Sequence, residues 1–68
     1  MKIGNYRHYK GKDYEVIGVG KHSENLEEFV IYKQLYGEYG LRIRPRQMFE
    51  ENIILDGKEI PRFEFIGN

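Results

Sequence analysis

The sequence contains no cysteine, no tryptophan and only two prolines, and its eleven Lys and Arg residues are matched by eleven Asp and Glu. Without cysteine, neither a disulfide framework nor a thiolate zinc site can staple the fold, so packing must stabilise it. Balanced charge argues against a dedicated nucleic-acid binder that works by bulk electrostatics, and leaves only a local basic patch for such a role. No apolar run is long enough for a signal peptide or a spanning helix, which leads us to expect a cytoplasmic protein without membrane attachment. What the chain does have is aromatic mass, six Tyr and four Phe. Large rings suit a small domain, because a chain of this length hides only about 60% of the surface that its unfolded form exposes. One core is all that 68 residues can build, so a single domain over residues 1–68 is expected, a monomer or at most a weak homodimer.

The patterning is that of short strands separated by glycine-containing breaks, as in an all-β barrel or sandwich. A strand is predicted over Tyr6 to Tyr9, ending in the turn Lys10-Gly11-Lys12. Another covers Tyr14 to Val19, where Gly18 and Gly20 mark a bend or bulge. His22 to Glu28 is polar and reads as a loop with at most one helical turn, capped by Ser23. Phe29 to Tyr36, apolar on both faces at its start, predicts a central strand. Leu41, Ile43 and Pro45 then alternate with Arg42, Arg44 and Arg46, and a side-chain period of two puts the three guanidinium groups on one side of a sheet. Pro45 cannot donate to a ladder, so this strand ends there or lies at an edge. Gln47 to Glu51 is too short for a stable helix and predicts a single turn that plugs Met48 and Phe49 into the core. Ile53 to Leu55 leads into Asp56-Gly57, a strong hairpin signal. Ile60 to Ile66 reads as one closing strand with Phe63 and Phe65 inward. The fold class expected is therefore all-β, a small barrel of five or six short antiparallel strands with at most one helical turn.

Several blocks together resemble a known bacterial family. They are Tyr6-Arg7-His8-Tyr9-Lys10-Gly11, Tyr14-x-Val16, His22-Ser23-Glu24 with Glu27, Leu35-Tyr36-Gly37, Arg44-Pro45, Met48-Phe49, Asp56-Gly57 and Pro61-Arg62-Phe63. The family is the one catalogued as domain of unknown function 1653, and the resemblance runs over nearly the whole chain. It implies an SH3-like β-barrel and implies no activity, since the family is named for having none assigned. Two positions depart from the pattern: Arg42 stands where tryptophan is expected, and Asn25 where threonine is common. A ligand platform built on that tryptophan would be missing here.

Among chemical constellations, His8 and His22 with Glu24 or Glu27 offer zinc or manganese ligands, yet no close His-x-x-x-His pairing occurs. Ser23 beside His22 lacks the geometry of a nucleophile and its base, because sequence neighbours do not converge that way. Gly18-Val19-Gly20-Lys21-His22-Ser23 is not a phosphate loop: position 15 is Glu and Lys21 is followed by His. No catalytic residue, metal or cofactor is assigned. Arg42, Arg44 and Arg46, with Arg7 and Arg62, are the best anion contacts, since guanidinium groups fork onto phosphate or carboxylate. Tyr6, Tyr9, Tyr32 and Tyr36 could stack a base beside them. The bland counter-reading is that Glu15, Glu50, Glu51 or Glu64 neutralise the ladder by cross-strand pairing. The expectation is a binding module for an anionic ligand, a nucleotide or single-stranded nucleic acid, contacted by Tyr6, Arg7, His8, His22, Ser23, Glu24, Arg44 and Arg62. The alternatives are an interaction domain that docks a protein partner at a strand edge or aromatic patch, and a small metal-dependent hydrolase-like enzyme. The site so drawn requires the Tyr6-Arg7-His8 and His22-Ser23-Glu24 blocks to meet.

Overall fold

The computed structural model describes every residue from Met1 to Asn68. Period-two patterning produces seven strands and one helical turn: β1 Gly4–His8, β2 Asp13–Lys21, β3 Glu28–Gln34, β4 Leu41–Pro45, α1 Arg46–Phe49, β5 Asn52–Leu55, β6 Lys58–Pro61 and β7 Phe63–Gly67. Five of the strands form one antiparallel sheet in the order β4-β3-β2-β1-β7, and β5 and β6 form a separate hairpin. No helix is long and apolar enough to cross a membrane. The all-β expectation holds, with one strand more than the upper count. The extra strand arises because Ile60 to Ile66 is two strands divided at Arg62. Pro61, with no N–H, ends pairing with β5, and the Arg62 carbonyl accepts from the Tyr9 amide at 3.0 Å, which starts the pairing of β7 with β1.

Glycine bends β2 where the sequence suggested. The β2–β3 register shifts between Val16 and Gly18, leaving Ile17 as the extra residue of a bulge. Cross-strand partners share a face, so the register defines an inner face carrying Tyr6, Tyr14, Val16, Val30 and Tyr32. The core lies on that face and consists of Tyr6, Val16, Val30, Tyr32, Phe49 and Phe63. Phe49, in α1, is the largest fully buried side chain. Met48 is 47% exposed, against the expectation that both residues of the turn plug the core. Neighbours on a helix point about 100° apart, so a turn of four residues can bury only one of them.

The β5–β6 hairpin turns on Asp56 (φ 52°) and Gly57 (φ 77°), the paired left-handed conformations of a type I′ turn. Gly57→Ala places a Cβ where it costs about 1 kcal/mol or more. The hairpin shares few contacts with the sheet, and its tip is exposed at Ile54 and Leu55. We therefore expect roughly fivefold faster amide exchange across Ile53 to Ile60, with core amides unchanged. Equal acceleration in the core would show that the hairpin is part of the global folding unit.

Candidate anion site on the inner face

Strand β4 determines the site. Arg42 lies opposite Tyr32 and Arg44 opposite Val30, so both side chains stand on the inner face with the core. Leu41 and Ile43, the apolar members of the alternation, face solvent and are 68% and 66% exposed. Arg46 leaves the ladder, because Pro45 closes β4 and Arg46 opens α1. The three-arginine row is thus two arginines on an aromatic floor.

That floor is continuous. Phe63 stacks flat on Phe49, with ring centroids 4.1 Å apart, and meets His8 edge-on at 4.9 Å. The Arg44 guanidinium carbon sits 5.7 Å from the Phe63 ring centre, and its Nε donates a long 3.4 Å bond to the Tyr32 hydroxyl. Tyr14 packs edge-on to Tyr32, Tyr36 and Phe63. The Tyr14 and Tyr36 hydroxyls lie 2.7 Å apart. Burial, followed by the bond to Tyr36, pushes the Tyr14 phenol up to about 12, while hydrogen bonds from Tyr14 and then Gln34 hold Tyr36 below its ordinary value. Both phenols are neutral near pH 7, and either hydroxyl can donate in this pair. The Lys12 ammonium lies 4.8 Å from the Tyr36 ring centre.

Three of the five arginines already hold a carboxylate, but of the Arg42, Arg44 and Arg46 row only Arg46 does, so the counter-reading holds for one member of the ladder. Arg7 pairs with Asp13 at 2.8 Å, Arg46 with Glu28 and Glu50 at 3.1 and 3.2 Å, and Arg62 with Glu51 at 2.8 Å. Arg42 and Arg44 have no such partner. The Arg62 Nε is also buried without a hydrogen-bond partner. An anion would find two uncommitted guanidinium groups on this face, one of them, Arg44, over the Phe63 ring.

His8 registers that charge. Burial first, then Arg44, Arg62 and Lys10, lower its pKa from the ordinary 6.5. The Lys10 amide donates to its Nδ1 at 3.1 Å, which keeps that nitrogen an acceptor. The unfolded chain therefore takes up the His8 proton more readily than the folded chain does. Its contribution to stability is complete above pH 6.5 and is lost as pH falls from there through the lower folded value. Denaturation midpoints should decline across that window, and His8→Gln should flatten the decline; an unchanged slope would assign it to other groups.

The two sequence blocks do not meet. His8 lies beside the start of β2 and His22 follows its end, separated by nine residues of strand, on the order of 25 Å. His22, Ser23 and Glu24 build the β2–β3 turn instead. The Glu24 amide donates to His22 Nδ1 at 3.0 Å, the Glu27 amide to Asn25 Oδ1 at 2.9 Å, and the His22 amide to the Glu27 carbonyl at 2.7 Å. One α-type turn closes there, the Leu26 amide donating to the His22 carbonyl at 2.8 Å, but no side-chain bond from Ser23 caps it; His22 Nδ1 and Asn25 Oδ1 are the side-chain acceptors. The metal set of His8, His22 and Glu24 does not assemble. Tyr6 belongs to the core, its hydroxyl donating to the Lys2 carbonyl at 2.7 Å. Arg7 lies with Asp13 and Glu64 on the outer face, opposite His8. Of the eight candidates, His8, Arg44 and Arg62 come together, and Arg42, Tyr14 and Tyr36 complete the group. Arg42 and Tyr36 stood among the anion and stacking candidates of the sequence, so Tyr14 is the addition; register places Arg42, because an arginine opposite a buried tyrosine shares the tyrosine's face.

Two hollows flank this region. One of about 330 Å³ is lined by Arg7, His8, Tyr9, Gly11, Ile60, Pro61 and Glu64. A larger one, about 390 Å³, lies between Glu27, Glu28, Arg46, Gln47 and Glu50. Three carboxylates surround one arginine there, two of them already bound to it, so the larger hollow repels anions.

A family model described as "Protein of unknown function (DUF1653)" matches residues 4–65. The chain is also similar to a crystal structure of a DUF1653 protein from Bordetella bronchiseptica, with 32% identity and a TM-score of 0.89 over 98% of this chain and 88% of that one. No curated protein matches.

Proposed function

The chain belongs to the DUF1653 family, and from that premise we propose that it is a binding module for an anionic ligand, carrying carboxylate or phosphate, at the inner-face end of β4. The observation that carries this reading is that Arg42 and Arg44 stand on one face with no carboxylate of the chain's own, Arg44 lying over the Phe63 ring and beside the Tyr32 hydroxyl. Arg42 and Arg44 bind, and the ring floor excludes water from one side of the contact. A nucleotide or an oligonucleotide satisfies this chemistry through phosphate, and an acidic protein segment through carboxylate. A cytoplasmic setting is part of the same proposal.

The simplest anion tests it. Inorganic pyrophosphate, followed by phosphorus NMR at low ionic strength, should bind at a single saturable site. The affinity should fall as salt rises from about 10 to about 150 mM, since the site is half-open to solvent. No saturable binding at low salt would overturn the reading.

A further inference from the structure

Strand β4 ends the five-stranded sheet and pairs only with β3. The Gln34 amide donates to the Gly40 carbonyl at 3.0 Å, and Tyr32 and Val30 lie opposite Arg42 and Arg44. Antiparallel alternation then turns the backbone groups of Arg42 and Arg44 towards β3. It turns the N–H and C=O of Leu41 and Ile43 away from the sheet. None of the loop or side-chain hydrogen bonds reaches those outward groups. The edge thus presents an unfilled ladder with two kinds of side chain beside it. The exposed Leu41 and Ile43 stand on the outer face, and the carboxylate-free Arg42 and Arg44 on the inner face.

We propose that β4 is a docking edge for an extended segment of another protein in which apolar residues alternate with Asp or Glu. The inference rests on the anion-site reading and gives its ligand a class. The segment's backbone completes the ladder at Leu41 and Ile43, its carboxylates lie opposite Arg42 and Arg44, and its apolar side chains cover Leu41 and Ile43. Charge decides between occupants. A second copy paired antiparallel about Ile43 would set each Arg42 directly opposite an Arg44, like charges that destabilise the pair. A nucleic acid would neutralise the arginines but leave Leu41 and Ile43 in water, and the chain's balanced charge gives it no long-range pull.

The test uses the full chain and two blocked synthetic peptides, Val-Glu-Val-Glu-Val and Val-Lys-Val-Lys-Val, each flanked by threonines. The acidic peptide should slow exchange of the Leu41 and Ile43 amides, and the lysine peptide should not. Because charge is changed on the peptide, folding of a variant does not enter. Reversing the charges as R42E/R44E should weaken the acidic peptide roughly thirtyfold and admit the lysine peptide, as two reversed cross-strand pairs imply. Equal binding of both peptides, or acidic-peptide binding that leaves these two amides in free exchange, would overturn the strand-docking proposal. Pyrophosphate or a short oligonucleotide binding at Arg44 while the acidic peptide does not would also overturn it, yet leave the anion site standing. Failure of every anion would remove both.

Discussion

Phe49→Ala is expected to remove about half or more of the protein's folding stability. Phe49 is 1% exposed, stacks flat on Phe63 at 4.1 Å and meets the rings of Tyr6 and Tyr32 edge-on at 5.4 and 5.3 Å. Truncating such a side chain removes its transfer energy and leaves a cavity, together about 3–5 kcal/mol. A domain of this size has about 3–10 kcal/mol of stability in all. Only six residues are buried, so the rest of the core cannot compensate. The measurement is urea denaturation followed by circular dichroism, with the amide NMR spectrum as a second probe. A loss below about 1 kcal/mol would mean that α1 is an ornament on a sheet that folds without it.

Arg44→Gln should weaken pyrophosphate binding roughly ten- to a hundredfold while the fold stays intact, which is the worth of a hydrogen-bonded charge. The fold survives because Arg44 makes no ion pair and its bond to Tyr32 is long, at 3.4 Å. The contact with Phe63 is worth only about 0.5–1 kcal/mol. Arg7→Gln is the informative contrast, since Arg7 is another arginine that the sequence suggested for the site. It points to the outer face and is bound to Asp13, so its loss should leave pyrophosphate affinity unchanged. Equal losses in the two variants would indicate diffuse attraction to the whole molecule rather than a site.

The strand pattern was legible because its signals are local. The Gly18 and Gly20 bulge, the Asp56-Gly57 turn and the ending of β4 at Pro45 each follow from the backbone preferences of one or two residues. The face of β4 was less legible. Arg42 and Arg44 alternate with Leu41 and Ile43 whichever side is buried, and only the pairing of Arg42 with Tyr32 decides. At an edge strand the apolar row can stand in water, so hydrophobicity alone misleads. The single closing strand failed for a long-range reason: the Arg62 backbone is claimed by Glu51 and Tyr9, neither adjacent in sequence. His22, Ser23 and Glu24 resembled site residues because turn-building and ligand-binding use the same polar atoms. At the β2–β3 turn His22 Nδ1 and Asn25 Oδ1 are spent on the backbone amides of Glu24 and Glu27.

The central claim is that anions are held by Arg42 and Arg44 on the inner face and not by His22, Ser23 and Glu24 of the β2–β3 turn. An amide-resolved NMR titration of labelled protein with inorganic pyrophosphate tests it most directly. Saturable shifts are expected at His8, Arg42, Arg44 and Phe63, with His22, Ser23 and Glu24 unmoved. Shifts centred on His22 to Glu24, or spread evenly over all the lysines and arginines, would contradict it.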